Sequence, residues 1–271
     1  MRATGALSLF LVALTLPAVA TAQEKVRVPW HAGWVTQFDD THANGDLDAR
    51  LFRPSGAAKS PFVVFMHGCG GLQIERVAHW GIFFAERGVG MLMVDSNTTR
   101  SVKEVCSDSG APLVWIKRRA DDAASALTWL ANQRYVNPDR IAIMGQSQGG
   151  GAELFALHVD IPTSSQFVAG LAMYPACNRA LNNKIQLAKP VLVLVGSEDA
   201  VAPAANCEAL QAIQPDRSKL DIIVYPGAAH EFDNPVKPYL LLGKYKAGED
   251  AVSRSKAQTR VAQWIDISLK R

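Results

Sequence analysis

Few features of this 271-residue chain are extreme, and what is missing narrows the field. Charge of one sign is scarce: the formal balance is +3. Without a large field of one sign, neither nucleic acid nor a lipid surface is expected as a partner. The basic run Lys117-Arg118-Arg119 is mixed with acids on a helical stretch and is expected to face solvent. Past the N-terminus no apolar run is long enough to cross a bilayer, which argues against stable membrane insertion. The close Cys/His spacing that holds zinc is absent, so no metal is expected. Gly149-Gly150-Gly151 is followed by no Gly-Lys-Ser/Thr, which removes the phosphate-loop reading and leaves no cofactor implied. Internal repeats, interdomain linkers and polar low-complexity tracts are also absent. With 48% hydrophobic residues, the length suits one large α/β domain.

The first 22 residues stand apart. Arg2 precedes an almost wholly apolar run, Ala6 to Leu16. Pro17 breaks that run, and Ala20-Thr21-Ala22 has the small-x-small form of a cleavage site. Residues 1–22 are therefore expected to be a signal peptide and 23–271 the mature domain. No cysteine follows Ala22 to carry a lipid anchor. An exported chain, periplasmic or secreted, gives its cysteines a disulfide reading. Four are present: Cys69, Cys106, Cys177 and Cys207. Three pairings are possible. Cys177–Cys207 is favoured because both follow core strands on one side, which leaves Cys69–Cys106; free buried cysteines are the alternative.

Strand and helix patterns alternate, so a mostly parallel sheet with helices on both faces is expected. Residues 26–52 are less regular and read as an antiparallel start, with a turn at Asn44-Gly45 before a strand at 47–52. Apolar runs at 62–66, 90–94, 141–144, 167–173, 190–195 and 220–225 read as buried strands. Helices are expected near 76–87, 121–133, 205–213 and 250–269, with a long loop at 97–114.

Gly145-Gln146-Ser147-Gln148-Gly149 lies between the strand at 141–144 and a helix beginning at Gly150. The pentapeptide alone would suit any Gly-rich turn. In a strand-turn-helix setting it is the form of a nucleophile elbow, with Ser147 exposed at the sheet edge. All C-terminal strand ends of a parallel sheet share that edge. Asp199 follows the strand at 190–195 and His230 the strand at 220–225, so Ser147, Asp199 and His230 are expected to meet there. His230 would serve as base and Asp199 would orient it. Glu198 and Asp233 are the rival acids; Asp233 is disfavoured for its closeness in sequence to His230. His67-Gly68-Cys69-Gly70-Gly71 suits an oxyanion loop, with donors expected from the N–H of Gln148 and of Cys69, or of Gly70 instead of Cys69. His67 is expected to brace this loop. Trp80, Trp115, Phe232 and Tyr239 are candidate pocket walls, and segments 97–118 and 232–249 form either a rim or lid or plain solvated loops.

In these segments the chain resembles the dienelactone hydrolase family of α/β-hydrolases. The shared motifs are His67-Gly68-Cys69-Gly70-Gly71, Asp95-Ser96, Gly145-Gln146-Ser147-Gln148-Gly149-Gly150, Gly196-Ser197-Glu198-Asp199 with Pro203, and Tyr225-Pro226-Gly227-Ala228-Ala229-His230-Glu231-Phe232. They run in family order over residues 45–268. The resemblance implies an α/β-hydrolase fold and a triad hydrolase. The family's namesake enzymes carry cysteine where this chain has Ser147, and a histidine-activated serine suits ordinary esters better than activated lactones. The expectation is an exported serine esterase acting on a small or polymeric ester. A peptidase or amidase on the same scaffold and an inactive secreted binding protein are the alternatives.

Overall fold

The computed structural model describes residues 23–30, 45–56, 59–107 and 112–270. The leader expected at 1–22 and Asn44 of the expected turn lie outside them. Strand β1 (Gln23–Val28) pairs antiparallel with β2 (Leu47–Phe52), the antiparallel start read from the sequence. Then follow β3 (Ser60–Met66), α1 (Ile74–Ala85), β4 (Gly90–Asp95), α2 (Pro112–Ala131), β5 (Val136–Gln146), α3 (Gln148–Ala156), β6 (Gly170–Met173) and α4 (Cys177–Asn182). The chain continues through β7 (Val191–Gly196), α5 (Ala204–Ala212), β8 (Leu220–Tyr225), a hairpin of β9 (Tyr239–Leu241) and β10 (Tyr245–Ala247), and α6 (Ala251–Ser268). The sheet is eight-stranded in the order β1-β2-β4-β3-β5-β6-β7-β8. Strands β4, β3, β5, β6, β7 and β8 run parallel. The apolar runs of β3 to β7 are buried on both faces, as parallel strands covered by helices require, while the edge strand β8 leaves Val224 exposed. Phe84 of α1 meets Trp264 of α6 edge-on at 6.5 Å, which closes one helical layer.

Three differences from the sequence reading have physical causes. Helix α2 begins at Pro112 rather than 121, so the long loop ends earlier; proline at the first helical position gives up an N–H that had no partner anyway. The expected strand at 167–173 is confined to β6, although Val168 and Ala169 already exchange backbone hydrogen bonds with β5. Segment 232–249 contains the β9–β10 hairpin, whose two three-residue strands are too short to show a period. Both disulfides are formed, Cys69–Cys106 and Cys177–Cys207, and the second joins α4 to α5.

One acid lies in the core. Glu153 of α3 is fully buried, and neither carboxyl oxygen has a hydrogen-bond partner. Burial pushes its pKa well above the carboxylate range, opposed only by the Gly145 backbone. Because the folded value lies above the unfolded one (about 4.3), the protonated acid favours the fold. That contribution is complete below the unfolded pKa and is lost as pH rises toward the folded one. Glu153→Gln should therefore gain stability over wild type as pH rises from 5, by up to about 1.4 kcal/mol per pH unit until the folded pKa is passed. Denaturant unfolding of both proteins from pH 5 to 9 measures this, and a difference that stays constant with pH would contradict it.

Candidate active site

Ser147 separates β5 from α3 with φ 54° and ψ −116°, a conformation that side chains rarely adopt. Two glycines make the turn possible. A Cβ on Gly145 would run into the Gly149 backbone, and one on Gly149 into the Met66 carbonyl of β3. The tight approach presents Oγ at the carboxyl edge of the sheet.

His230 and Asp199 arrive at the same edge from the segments after β8 and β7. His230 Nε2 lies 3.0 Å from Ser147 Oγ, and its Nδ1 lies 2.7 Å from Asp199 Oδ2. A carboxylate only accepts, so the ring proton sits on Nδ1 and the Nε2 lone pair faces the serine. The other Asp199 oxygen accepts the N–H groups of Val201 at 2.9 Å and Ala202 at 2.8 Å. His230 and Asp199 are both buried. The rival Glu198 is half exposed and pairs outward with Lys246 at 3.0 Å. The His230 loop is pinned from the other side, where the Gly248 N–H donates to the His230 carbonyl and that of Asp250 to the Phe232 carbonyl.

The expected oxyanion loop lies beside Ser147, where a Cβ on Gly68 would come within 3.4 Å of the Ser147 Cβ. Among the described residues no protein acceptor takes the backbone N–H of Gln148 or of Cys69. The first N–H groups of a helix have no partner within it, which leaves that of Gln148 available to a ligand. The alternative donor, the Gly70 N–H, likewise meets no protein acceptor among the described residues, while the Gly70 carbonyl holds the Gln73 side chain at 3.2 Å. His67 braces the loop, as its Nδ1–H donates to the Gly68 carbonyl at 2.6 Å and its Nε2 accepts from the Ser96 N–H at 3.1 Å. Burial, followed by nearby Arg119, lowers its pKa to about 3, so this imidazole stays neutral.

A pocket of about 180 Å³ opens over Ser147 and His230. Of the aromatic candidates only Tyr239 lines it; Trp80, Trp115 and Phe232 are buried packing residues. Both candidate rim segments contribute, 97–118 through Cys106 and 232–249 through Tyr239 and Leu241. Arg76 gives the pocket a polar wall, because its Nη1 donates to Glu231 Oε2 and to the Tyr239 hydroxyl, each at 3.1 Å.

Two parts of the site were not legible in the sequence. The first is Asp233, which does not approach His230 as a rival to Asp199. Fully buried, it accepts from the Tyr174 hydroxyl at 2.6 Å, Trp80 Nε1 at 2.7 Å and Gln146 Nε2 at 2.7 Å. It thus ties the residue before Ser147 to the His230 loop. The Tyr174 ring packs edge-on against His230 at 4.7 Å between centroids. The second is Arg119. Contrary to the expectation of a solvated basic run, it is wholly buried beneath the elbow, because α2 turns position 119 toward α3. Burial lowers its guanidinium to about 9, with Asp122 and Asp95 opposing, so it remains charged at neutral pH. Neither residue belongs to a short motif that spacing could flag.

Comparison with known proteins follows this geometry. The family model for the dienelactone hydrolase family matches residues 47–268. The quorum-quenching protein AidA of Acinetobacter baumannii is 28% identical over 176 residues, 58% of this chain and 55% of the relative, so the chain spans about half the length of that protein. Among solved structures, a putative dienelactone hydrolase from Klebsiella pneumoniae superposes with a TM-score of 0.65 at 17% identity, covering 90% of this chain and 97% of the other. A hyperthermophilic esterase from the archaeon Pyrobaculum calidifontis gives 0.62 at 16% identity, covering 92% and 86%. A puromycin-hydrolyzing peptidase from Mycobacterium tuberculosis gives 0.65 at 18% identity, covering 96% of this chain but 41% of the peptidase. At such identities the structures establish a shared α/β-hydrolase fold, and the family match goes further: this chain belongs to the dienelactone hydrolase family.

Proposed function

We propose that this protein is an exported serine hydrolase that cleaves carboxylic esters through an acyl-enzyme. The observation that carries the reading is the unbroken chain of contacts from Ser147 Oγ to His230 Nε2 and from His230 Nδ1 to Asp199. A serine hydroxyl attacks a carbonyl only when a base takes its proton. His230 takes it on Nε2, and Asp199 stabilises the imidazolium and keeps the ring in the productive tautomer. Negative charge then develops on the former carbonyl oxygen, where the N–H groups of Gln148 and Cys69 receive it. His230 next gives its proton to the departing alkoxide. Water, deprotonated by the same ring, attacks the acyl-enzyme, and collapse of the second tetrahedral intermediate frees the acid and Ser147.

Ester rather than amide chemistry is favoured because an amine leaving group demands closer control of protonation than an alcohol does. Export through residues 1–22 fits two disulfides at the working edge, since such bonds persist in oxidising compartments. Among the described residues no helix is long and apolar enough to cross a membrane.

Ser147→Ala should cut turnover of p-nitrophenyl acetate by at least about a thousandfold with the melting temperature kept within a few degrees. Undiminished turnover would remove Ser147 from the mechanism, and failure of a fluorophosphonate to label wild-type Ser147 would favour a binding protein. With matched ester and anilide substrates, kcat/KM for the ester should be larger by at least about two orders of magnitude; equal values would favour the amidase reading.

Asp233 supplies a separate test. In Asp233→Asn the amide oxygen keeps accepting from Trp80 and Gln146 while its NH2 turns to the Tyr174 oxygen, so the fold should survive with a loss of about 1–2 kcal/mol. Asp233→Ala strands the buried donors of Trp80 and Tyr174 and leaves the Gln146 side chain only Asn234, and should cost on the order of 3–5 kcal/mol together with at least about tenfold in kcat. Urea unfolding and steady-state kinetics measure both, and equal effects of the two variants would contradict this account.

A further inference from the structure

The two expected oxyanion donors come from distant parts of the chain. Gln148 begins α3, and Cys69 sits in the loop after β3. What holds them in register converges on one buried cation. Arg119 Nη1 donates to Gln148 Oε1 at 2.6 Å, and its Nη2 donates to Asn97 Oδ1 at 3.0 Å. Asn97 begins the segment 97–107, its side-chain NH2 facing the Lys103 carbonyl at 3.5 Å. That segment holds Cys69 twice, through the Cys69–Cys106 disulfide and through the Val105 N–H, which donates to the Cys69 carbonyl at 2.9 Å. One prong of the guanidinium thus reaches the first donor residue, and the other reaches the segment that anchors the second.

The charge is as notable as the fork. Arg119 is fully buried, and its Nε has no partner. Among the described residues no carboxylate forms an ion pair with it. Asp122 is held bidentate by Arg100 at 2.9 and 2.8 Å, and Asp95 accepts from Asn97, Thr98 and the Thr98 hydroxyl. Of the other groups facing it, His67 is neutral, while Trp115 offers its ring at 5.8 Å. Asp122 and Asp95 act on Arg119 only at a distance, being engaged by Arg100 and by the Asn97–Thr98 turn. Its positive field therefore also reaches the oxygen that Gln148 and Cys69 are placed to receive during turnover.

We propose that Arg119 is a positioning residue that assembles the two halves of the oxyanion hole and biases it electrostatically toward the tetrahedral intermediate. The inference rests on the serine hydrolase reading. It predicts an effect in the transition state and little in the ground state, because the fork fixes donors that the neutral carbonyl uses only weakly.

The test compares wild type, Arg119→Met, Arg119→Lys, Asn97→Asp and Ser147→Ala, with p-nitrophenyl acetate as substrate and phenylboronic acid as the tetrahedral anion mimic. Arg119→Met should lower kcat about 30- to 300-fold, leave KM within about threefold, and weaken boronate inhibition by a factor similar to that in kcat. Arg119→Lys keeps the charge without the fork and should fall between Met and wild type. Asn97→Asp places a carboxylate on Nη2 and should lower kcat and boronate affinity by about tenfold even if Arg119→Met does not fold. A folded Arg119→Met with kcat within twofold of wild type would overturn the proposal, as would loss of kcat with boronate affinity unchanged. If Arg119→Met does not fold, wild-type kinetics and boronate affinity in Asn97→Asp would overturn it. Failure of the underlying reading shows separately, as turnover retained in Ser147→Ala.

Discussion

The backbone at Ser147 is the constraint on which the site depends. A serine held at positive φ is strained, and it persists only because its surroundings leave the chain no other path. Gly145 and Gly149 let β5, α3 and the end of β3 approach more closely than any side chain would allow. That closeness also brings the loop after β3 against Ser147. The strain, Ser147 and that loop therefore form one packing problem, and it is solved by hydrogen atoms in place of Cβ groups at two positions.

Beneath this turn the interior is unusually polar, and its charges are handled in different ways. Asp233 is satisfied by three neutral donors, which spread its charge over elements that must stay together. Arg100 and Asp122 cancel one another as a bidentate pair. Burial disfavours the charged form of Glu153. Arg119 stays charged while donating to neutral acceptors. Such a polar layer costs stability relative to an apolar core of the same volume, and in return it fixes the orientation of what it touches.

Much of the architecture was legible in the sequence because it rests on local signals. Buried strands announce themselves as short apolar runs, and the glycines around Ser147 as a turn. Chain order brought Ser147, Asp199 and His230 to one edge, and strand ends pointed to Cys177–Cys207, which left Cys69–Cys106 as the second pair. The failures share another cause. Pro112 marked a helix start that the polar run beyond it obscured, and the same run made Arg119 look solvated. Burial of an arginine depends on which face of α2 meets α3, and that is settled by tertiary packing. Asp233 was set aside as the orienting acid, but its buried anchoring contacts could not be read, because closeness along the chain says little about direction: Glu231 at φ 58° lies between it and His230.

The β9–β10 hairpin lies outside the eight-stranded sheet, yet Tyr239 and Leu241 form a wall of the pocket. Leu240 and Leu242 of the same hairpin stand 58% and 52% exposed. Lengthening such a loop raises its closure entropy only logarithmically. The mouth of the pocket is therefore free to widen, narrow or change chemistry through insertions at Leu242-Gly243, while Ser147, His230 and Asp199 keep their geometry. Under the proposed function, substrate range and chemical competence would rest on separate pieces of chain.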